Sequence, residues 1–297
     1  MIPSESSLLT TYLKLFFTAM FWGGTFIAGK MLAGEVPPFS AAFLRFAMAS
    51  VMLLLLTRRQ YQRLPRLNRD DLLPLLLLGL SGVFAYNAFF FAGLMRIEAS
   101  RAAVIIANNP VVIALAAALL LGEKLTLRKV LGIGLSIAGA VIVIVRGDPG
   151  LLLAGGVGWG ELLIFGCVVS WSTYSLLGRR AMRNLSPLVA VTYSAVVGAL
   201  LLLPFALYEG MAGQIGGYPA LAWWNLFYLA LFGTVIGFVW YYQGIARIGS
   251  TRAGQFINFV PLAAVSLSVC LLGEPLTWSL LWGLALVSSG LYLTNSR

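Results

Sequence analysis

The sequence predicts an all-α polytopic membrane protein, with ten transmembrane helices arranged as two inverted five-helix repeats and both termini in the cytoplasm. Three observations carry that expectation. First, 60% of the 297 residues are apolar, only 10% are charged, and mean hydropathy is +0.92. A soluble domain carries about 25% charged residues, so this chain has too little polar surface to face water. Second, one stretch occurs twice: RIEASRAAVIIANNPVVIALAAALLLGEKLT from Arg96 and RIGSTRAGQFINFVPLAAVSLSVCLLGEPLT from Arg247, aligned without a gap as far as Gly139 and Gly290. The copies share an arginine-bearing bend, a mid-helix proline and a Leu-Leu-Gly-Glu exit, which marks an internal duplication. Third, lysine and arginine are distributed unevenly among the loops, and that bias sets orientation.

A helix needs about 20 apolar residues to cross the hydrocarbon core. On that criterion ten spans follow in order, at 12–33, 39–57, 72–95, 99–121, 127–145, 158–178, 187–208, 221–245, 250–272 and 277–294. The first repeat covers 1–146 and the second 147–297. The connections are short and hold Pro, Gly or charge, as in GEVPP, RRQYQRLPRLNRDD and RGDPG. Met1 to Thr11 is short, nearly uncharged and not followed by a small-residue cleavage site, so the first apolar run is read as a true span rather than a signal peptide. With the N-terminus inside, 15 of the 20 Lys and Arg fall on the inner side, in clusters such as Arg58 to Arg69 and Arg179 to Arg183. Lys30, Arg96, Arg101 and Arg146 fall outside, and Arg45 lies within span 2. Five spans per copy is an odd number, so the second copy enters the membrane inverted relative to the first. Such repeats are a transporter architecture, with the substrate site near the midplane.

The chain resembles the drug/metabolite transporter superfamily, in its ten-helix branch built from two EamA-type repeats. Pro110, the LLGEKLT exit, the following GIGLSIAGAVIVI run, FWGGTF in span 1 and AAFLRFAMA in span 2 carry the resemblance. It implies a secondary carrier for small organic solutes in a bacterial-type inner membrane, akin to exporters of amino acids, the aromatic amino acid exporters included. It also implies a cavity surrounded by spans 1, 3, 4, 6, 8 and 9, with spans 5 and 10 peripheral.

The residues supply candidates for that cavity. Pro110 and Pro261 each remove a helix hydrogen bond and are read as symmetry-related hinges, against the alternative of static kinks. Asn108, Asn109, Gln255 and Asn258 lie beside them, and Tyr86 with Asn87 lies in span 3. Amides this deep bond either to neighbouring helices or to a ligand. Trp22, Phe90, Trp171, Tyr174 and Tyr241 supply aromatic faces for apolar or cationic groups. Trp223 and Trp224, near a helix end, read instead as interfacial anchors. Arg45, with its counterpart near Ser194, either receives a substrate carboxylate or satisfies carbonyls; its place in span 2, outside the expected cavity helices, favours the structural role. No Asp or Glu lies at the midplane, whereas the small four-helix multidrug relatives carry a glutamate in helix 1 for proton exchange. A facilitator is therefore expected, with Glu98 a weaker coupling candidate and Glu123 and Glu274 closing their helices.

Other classes fit less well. Histidine is absent, so no Ser-His pair or HExxH zinc site exists, and Cys167 and Cys270 form no CxxC pair. No cofactor, metal or nucleic acid is implied, and the net charge of +10 belongs to the loops. The expected partners are the lipid bilayer and an amino acid or similar amphiphile, with a monomer favoured over a dimer. A proton-coupled exporter of organic cations is the alternative. A channel wants a continuous polar or charged lining, which scattered amides and aromatics do not supply.

Overall fold

A computed structural model describes residues 5–121, 126–148, 158–182, 184–248 and 250–295. Glu123 lies outside them, so its expected role at the end of span 4 has no structural counterpart here. The described residues form helices joined by short turns and contain no strand. Among the described residues nine helices are long and apolar enough to cross a membrane: Leu8–Leu32, Pro38–Tyr61, Arg69–Leu94, Ala99–Ala116, Leu127–Ile144, Trp159–Gly178, Pro187–Tyr208, Ala220–Ile245 and Arg252–Leu272. The stretch read as span 10 is a shorter apolar helix, Trp278–Thr294. Local chemistry explains the starts. Pro38 and Pro187 open spans 2 and 7, where a missing N–H costs nothing. Asn68 and Asp71 form a reciprocal capping box at the start of span 3. Gly273, with φ of 66°, ends span 9 in the left-handed region that favours glycine.

Four spans are not continuous α-helix, which sequence periodicity did not reveal. Span 3 contains a π-helical segment, Gly79–Ala85, and span 8 contains another, Leu231–Ile236. The two lie at equivalent places in the duplicated sequence. Span 4 breaks at residues 107 and 108, between Ala99–Ile106 and Asn109–Leu121. Span 9 passes through a 3-10 turn, Phe256–Asn258. In span 9 the disturbance is centred on Ile257, four residues before Pro261, and in span 4 it begins just after Ile106, four residues before Pro110; in each case the ring collides with that carbonyl.

The packing repeats when the halves are exchanged. Span 1 packs on span 9 and span 4 on span 6; span 3 packs on span 6 and span 1 on span 8. Spans 2 and 7 pair with each other, as do spans 5 and 10. Both self-paired sets run antiparallel. At one end of the 2–7 pair Tyr61 meets Ser186, and at the other Phe39 stacks on Phe205, 5.1 Å between ring centres. In the 5–10 pair Ser136 Oγ donates to the carbonyl of Val287, 151 positions away, at 3.4 Å.

Glycines let spans 5 and 10 approach backbone to backbone, a packing that replaces the missing hydrophobic drive between helices in lipid. A methyl on Gly290 would sit 2.5 Å from the Gly132 carbonyl, and one on Gly139 would sit 2.6 Å from that of Gly283. Gly290→Ala therefore forces the helices apart and is expected to cost about 1–3 kcal/mol, the usual range for overpacking. A lowered thermal midpoint in detergent would show it; an unchanged midpoint would mean the helices separate freely.

Candidate functional site

The distorted segments aim the side chains that matter. In a π-helical turn one extra residue rotates the following side chains and leaves carbonyls needing partners. In span 8 the indole of Trp22 donates to the Gly233 carbonyl at 3.0 Å, and Thr234 Oγ1 donates to Leu229 O at 3.0 Å. In span 3 Asn87 Nδ2 donates to Val83 O at 2.8 Å. Glycine admits the aromatics: a methyl on Gly237 would lie 2.6 Å from Trp22 Nε1, and one on Gly82 would collide with the Tyr174 ring.

These elements enclose a cavity of about 370 Å³ between the halves, within the roughly 300–1,000 Å³ of small-molecule sites. Its wall is a chain of aromatic contacts. Trp22 lies 5.3 Å from Tyr241 and 5.6 Å from Phe238, between ring centres. Phe238 reaches Trp171 at 6.1 Å; Trp171 contacts Tyr174 at 5.3 Å and Tyr86 at 5.6 Å. Tyr86 stacks on Phe90 at 5.9 Å. Asn109, Asn258, Pro110 and Pro261 also face the cavity, and the Asn109 side-chain oxygen is buried without a partner. Tyr86, Phe90, Trp22, Trp171, Tyr174 and Tyr241 thus come together as one surface.

Three candidates do not join it. Asn108 turns back to donate to Val104 O and Ile105 O at 3.1 and 3.4 Å, mending the break before Pro110. Gln255 is exposed and does not line the cavity. Asn87 is buried beside the main cavity, held by Arg45 Nη1 at 2.9 Å. Arg45 itself departs from the placement expected for span 2: it lines the main cavity. Span 2 crosses against span 8 as well as span 7, and a long side chain carries the guanidinium across to Thr234. A side chamber of about 40 Å³ shares Arg45, Tyr86, Trp171, Tyr174 and Phe238 with the cavity and adds Ser194. Arg45 and its sequence counterpart therefore face one small space.

The cavity is polarised along the bundle. From mid-helix its lining runs through Leu78, Met182, Ala190 and Ile245, toward the end where Arg58 and Arg59 close span 2. The opposite end is tied across the halves by carboxylates. Glu274 accepts from the backbone N–H of Ala99 and Ser100, at 2.7 and 3.0 Å, capping span 4. Glu209 does the same for span 2, from Phe39 and Ser40 N–H at 3.1 and 2.8 Å. Arg101 pairs with Glu161 at 2.7 Å and donates to Ile144 O at 2.9 Å. Lys30 Nζ donates to Leu94 O and Ile97 O, both at 2.8 Å. Glu98 stands at this end, beside span 4, and does not line the cavity.

This helical bundle around a cavity matches a known family twice along the chain. The EamA-like transporter family fits residues 9–145 and again 158–296. The chain belongs to that family. Among its relatives, the Bacillus subtilis transporter YyaM is 32% identical over 283 residues, 95% of this chain and 92% of YyaM. A transporter of Archaeoglobus fulgidus is 29% identical, over 97% of this chain and 98% of its own. A protein of Streptantibioticus cattleyicolor, named a probable terminal-alkyne amino-acid exporter, is 27% identical over 95% and 92% of the two chains. A crystal structure at 23% identity shares the fold, with a TM-score of 0.65 over 96% of each chain.

Sequence reasoning missed several residues of this EamA-like cavity. Phe238, the bridge between Trp22 and Trp171, is the repeat counterpart of Asn87, so the offset that aligned the halves would have pointed to it. Thr234 carried no such signal, because only the π-helical turn brings it to Arg45. Among the described residues, no group of three or more Cys, Asp or Glu assembles to hold a metal.

Proposed function

We propose that this membrane transporter exports amino acids or similar small amphiphilic metabolites from the cytoplasm, as a facilitator whose two inverted halves give alternating access. One observation carries the reading: an aromatic cavity between the halves that extends toward the arginine-rich end and is tied shut at the other. On this reading the arginine-rich end is cytoplasmic and holds both termini, and the structure is the state that loads from inside. The antiparallel self-paired spans support the inverted arrangement, and the named amino-acid exporter among the relatives supports the substrate class. Pro110 and Pro261 are the hinges, each beside an interrupted helix. Among the described residues no carboxylate lines the cavity, which argues against a cation site and against a proton carrier within it.

Counterflow in proteoliposomes tests the reading, with a panel of amino acids, organic cations and nucleotide sugars, each with and without a pH gradient. Saturable, trans-stimulated movement of at least one amino acid, unaffected by the pH gradient, is expected. Flux linear in concentration would indicate a channel. Movement of organic cations alone, driven by the gradient, would replace the reading with a proton-coupled exporter.

A further inference from the structure

We infer that Arg45, oriented by Thr234 and Asn87, is the anchor for a substrate carboxylate, so that this cavity selects molecules bearing an acid group and rejects simple organic cations. The inference rests on the transport reading above and narrows its substrate class.

Arg45 is 7% exposed, lies about two turns into the Pro38–Tyr61 span, and hydrogen-bonds only to neutral oxygens, with the Phe46 ring centre 5.1 Å from its guanidinium carbon. A guanidinium offers five N–H donors. Here they meet two acceptors. Nη1 donates to Asn87 Oδ1 at 2.9 Å, while Nε and Nη2 share Thr234 Oγ1 at 3.4 and 3.3 Å. The last two are long for hydrogen bonds of this kind. Among the described residues no carboxylate lies within 4 Å of Arg45. A charge inside a span without a counter-charge is costly.

Other cations of the protein meet an opposite charge or carbonyls. Arg101 pairs with Glu161 at 2.7 Å, although its Nε has no partner, and the half-buried Lys30 has two carbonyls at 2.8 Å. Both stand at the closed end, away from the cavity. Among the described cavity-lining residues Arg45 alone is charged, and it also lines a chamber of about 40 Å³, room for a polar head on the scale of a few water-sized probes. A planar carboxylate matches the fork of a guanidinium by two parallel bonds. The rest of the cavity suits the remainder of a zwitterion. The faces of Trp22, Trp171 and Tyr241 attract its ammonium without a protein carboxylate.

The test compares L-leucine, L-methionine and L-phenylalanine with their own primary amides, by counterflow into proteoliposomes and by binding to purified protein. The amide keeps the ammonium and side chain and removes only the negative charge. In the wild type each transported acid should exceed its amide by at least about 30-fold, the loss seen when one partner of a buried charge pair is removed. Arg45→Gln should bring the acid down to the level of the amide and leave the amide unchanged. Arg45→Lys, which keeps the charge without the fork, should retain part of the preference. An acid-to-amide ratio that survives Arg45→Gln overturns the anchor and leaves the transport reading standing. Amides carried as well as acids by the wild type do the same. Amino-acid transport absent altogether overturns both. If Arg45→Gln does not fold, Thr234→Val decides: it removes an orienting contact, and an unchanged ratio in that variant overturns the anchor.

Discussion

Trp171→Ala should lower amino-acid counterflow by at least about tenfold while the protein still folds. Trp171 is the centre of the aromatic wall, touching Tyr86, Tyr174 and Phe238. It is only partly buried, so truncation removes ligand-facing surface more than core. Loss of an aromatic contact of this size is worth about 1.5 kcal/mol or more in area and stacking together, which is about tenfold in affinity. Trp171→Phe keeps a ring in place and should recover most of the loss. Trp22→Ala should do more damage, since it also strips the donor from the Gly233 carbonyl in the π-helical turn. The measurements are the concentration giving half-maximal counterflow and the thermal midpoint of each variant. Unchanged half-saturation in both alanine variants would remove the two tryptophans from the site.

The second large effect concerns the closed end. Glu274 holds two backbone N–H groups at the start of span 4 from the other half of the molecule. The carboxylate also meets the positive end of the helix dipole. Glu274→Gln keeps the shape but turns an amide N–H₂ toward one of those donors. Hydrogen bonds to charged groups are worth about 1.5–3 kcal/mol, so losing one shifts the balance toward states open at this end by about 30-fold. Ser100, 1% exposed beneath the contact, is the place to read it. With Cys270→Ser to remove the exposed thiol, labelling of Ser100→Cys by an impermeant maleimide should speed up at least about tenfold in the Glu274→Gln background. Equal labelling rates with and without Glu274 would show that the contact caps a helix and does nothing to hold this end shut.

Glu274 also illustrates the limit of the sequence reading. Its position after Leu-Leu-Gly marks a helix end, and that was legible. Its partner was not, since Ala99 and Ser100 lie 175 and 174 residues away and contribute only backbone, which no side-chain pattern reveals. Asn108 and Asn109 make the same point at closer range. Adjacent amides before a proline look equivalent, yet one turns back to the carbonyls of its own helix while the other faces the cavity. The break at residues 107 and 108 sets that difference, and it depends on how the proline displaces the preceding turn.

By itself the sequence determined the solvent and the positions of nine spans among the described residues, and it carries the repeated motif. Each follows from composition and order along the chain: lipid demands long apolar helices, and gap-free repetition survives in the spacing of Arg, Pro, Gly and Glu. It also named most of the aromatics that line the cavity, because large rings deep in a membrane helix have few other uses. Only the tertiary structure decided Arg45. Read along the chain, it is one charge in a span expected to stand outside the cavity. In three dimensions spans 2 and 8 cross, a π-helical turn swings Thr234 to meet the guanidinium, and the charge is left facing a cavity with neutral partners. Which buried charge is matched and which is left open depends on distances between residues far apart in sequence, and those exist only once the halves have packed.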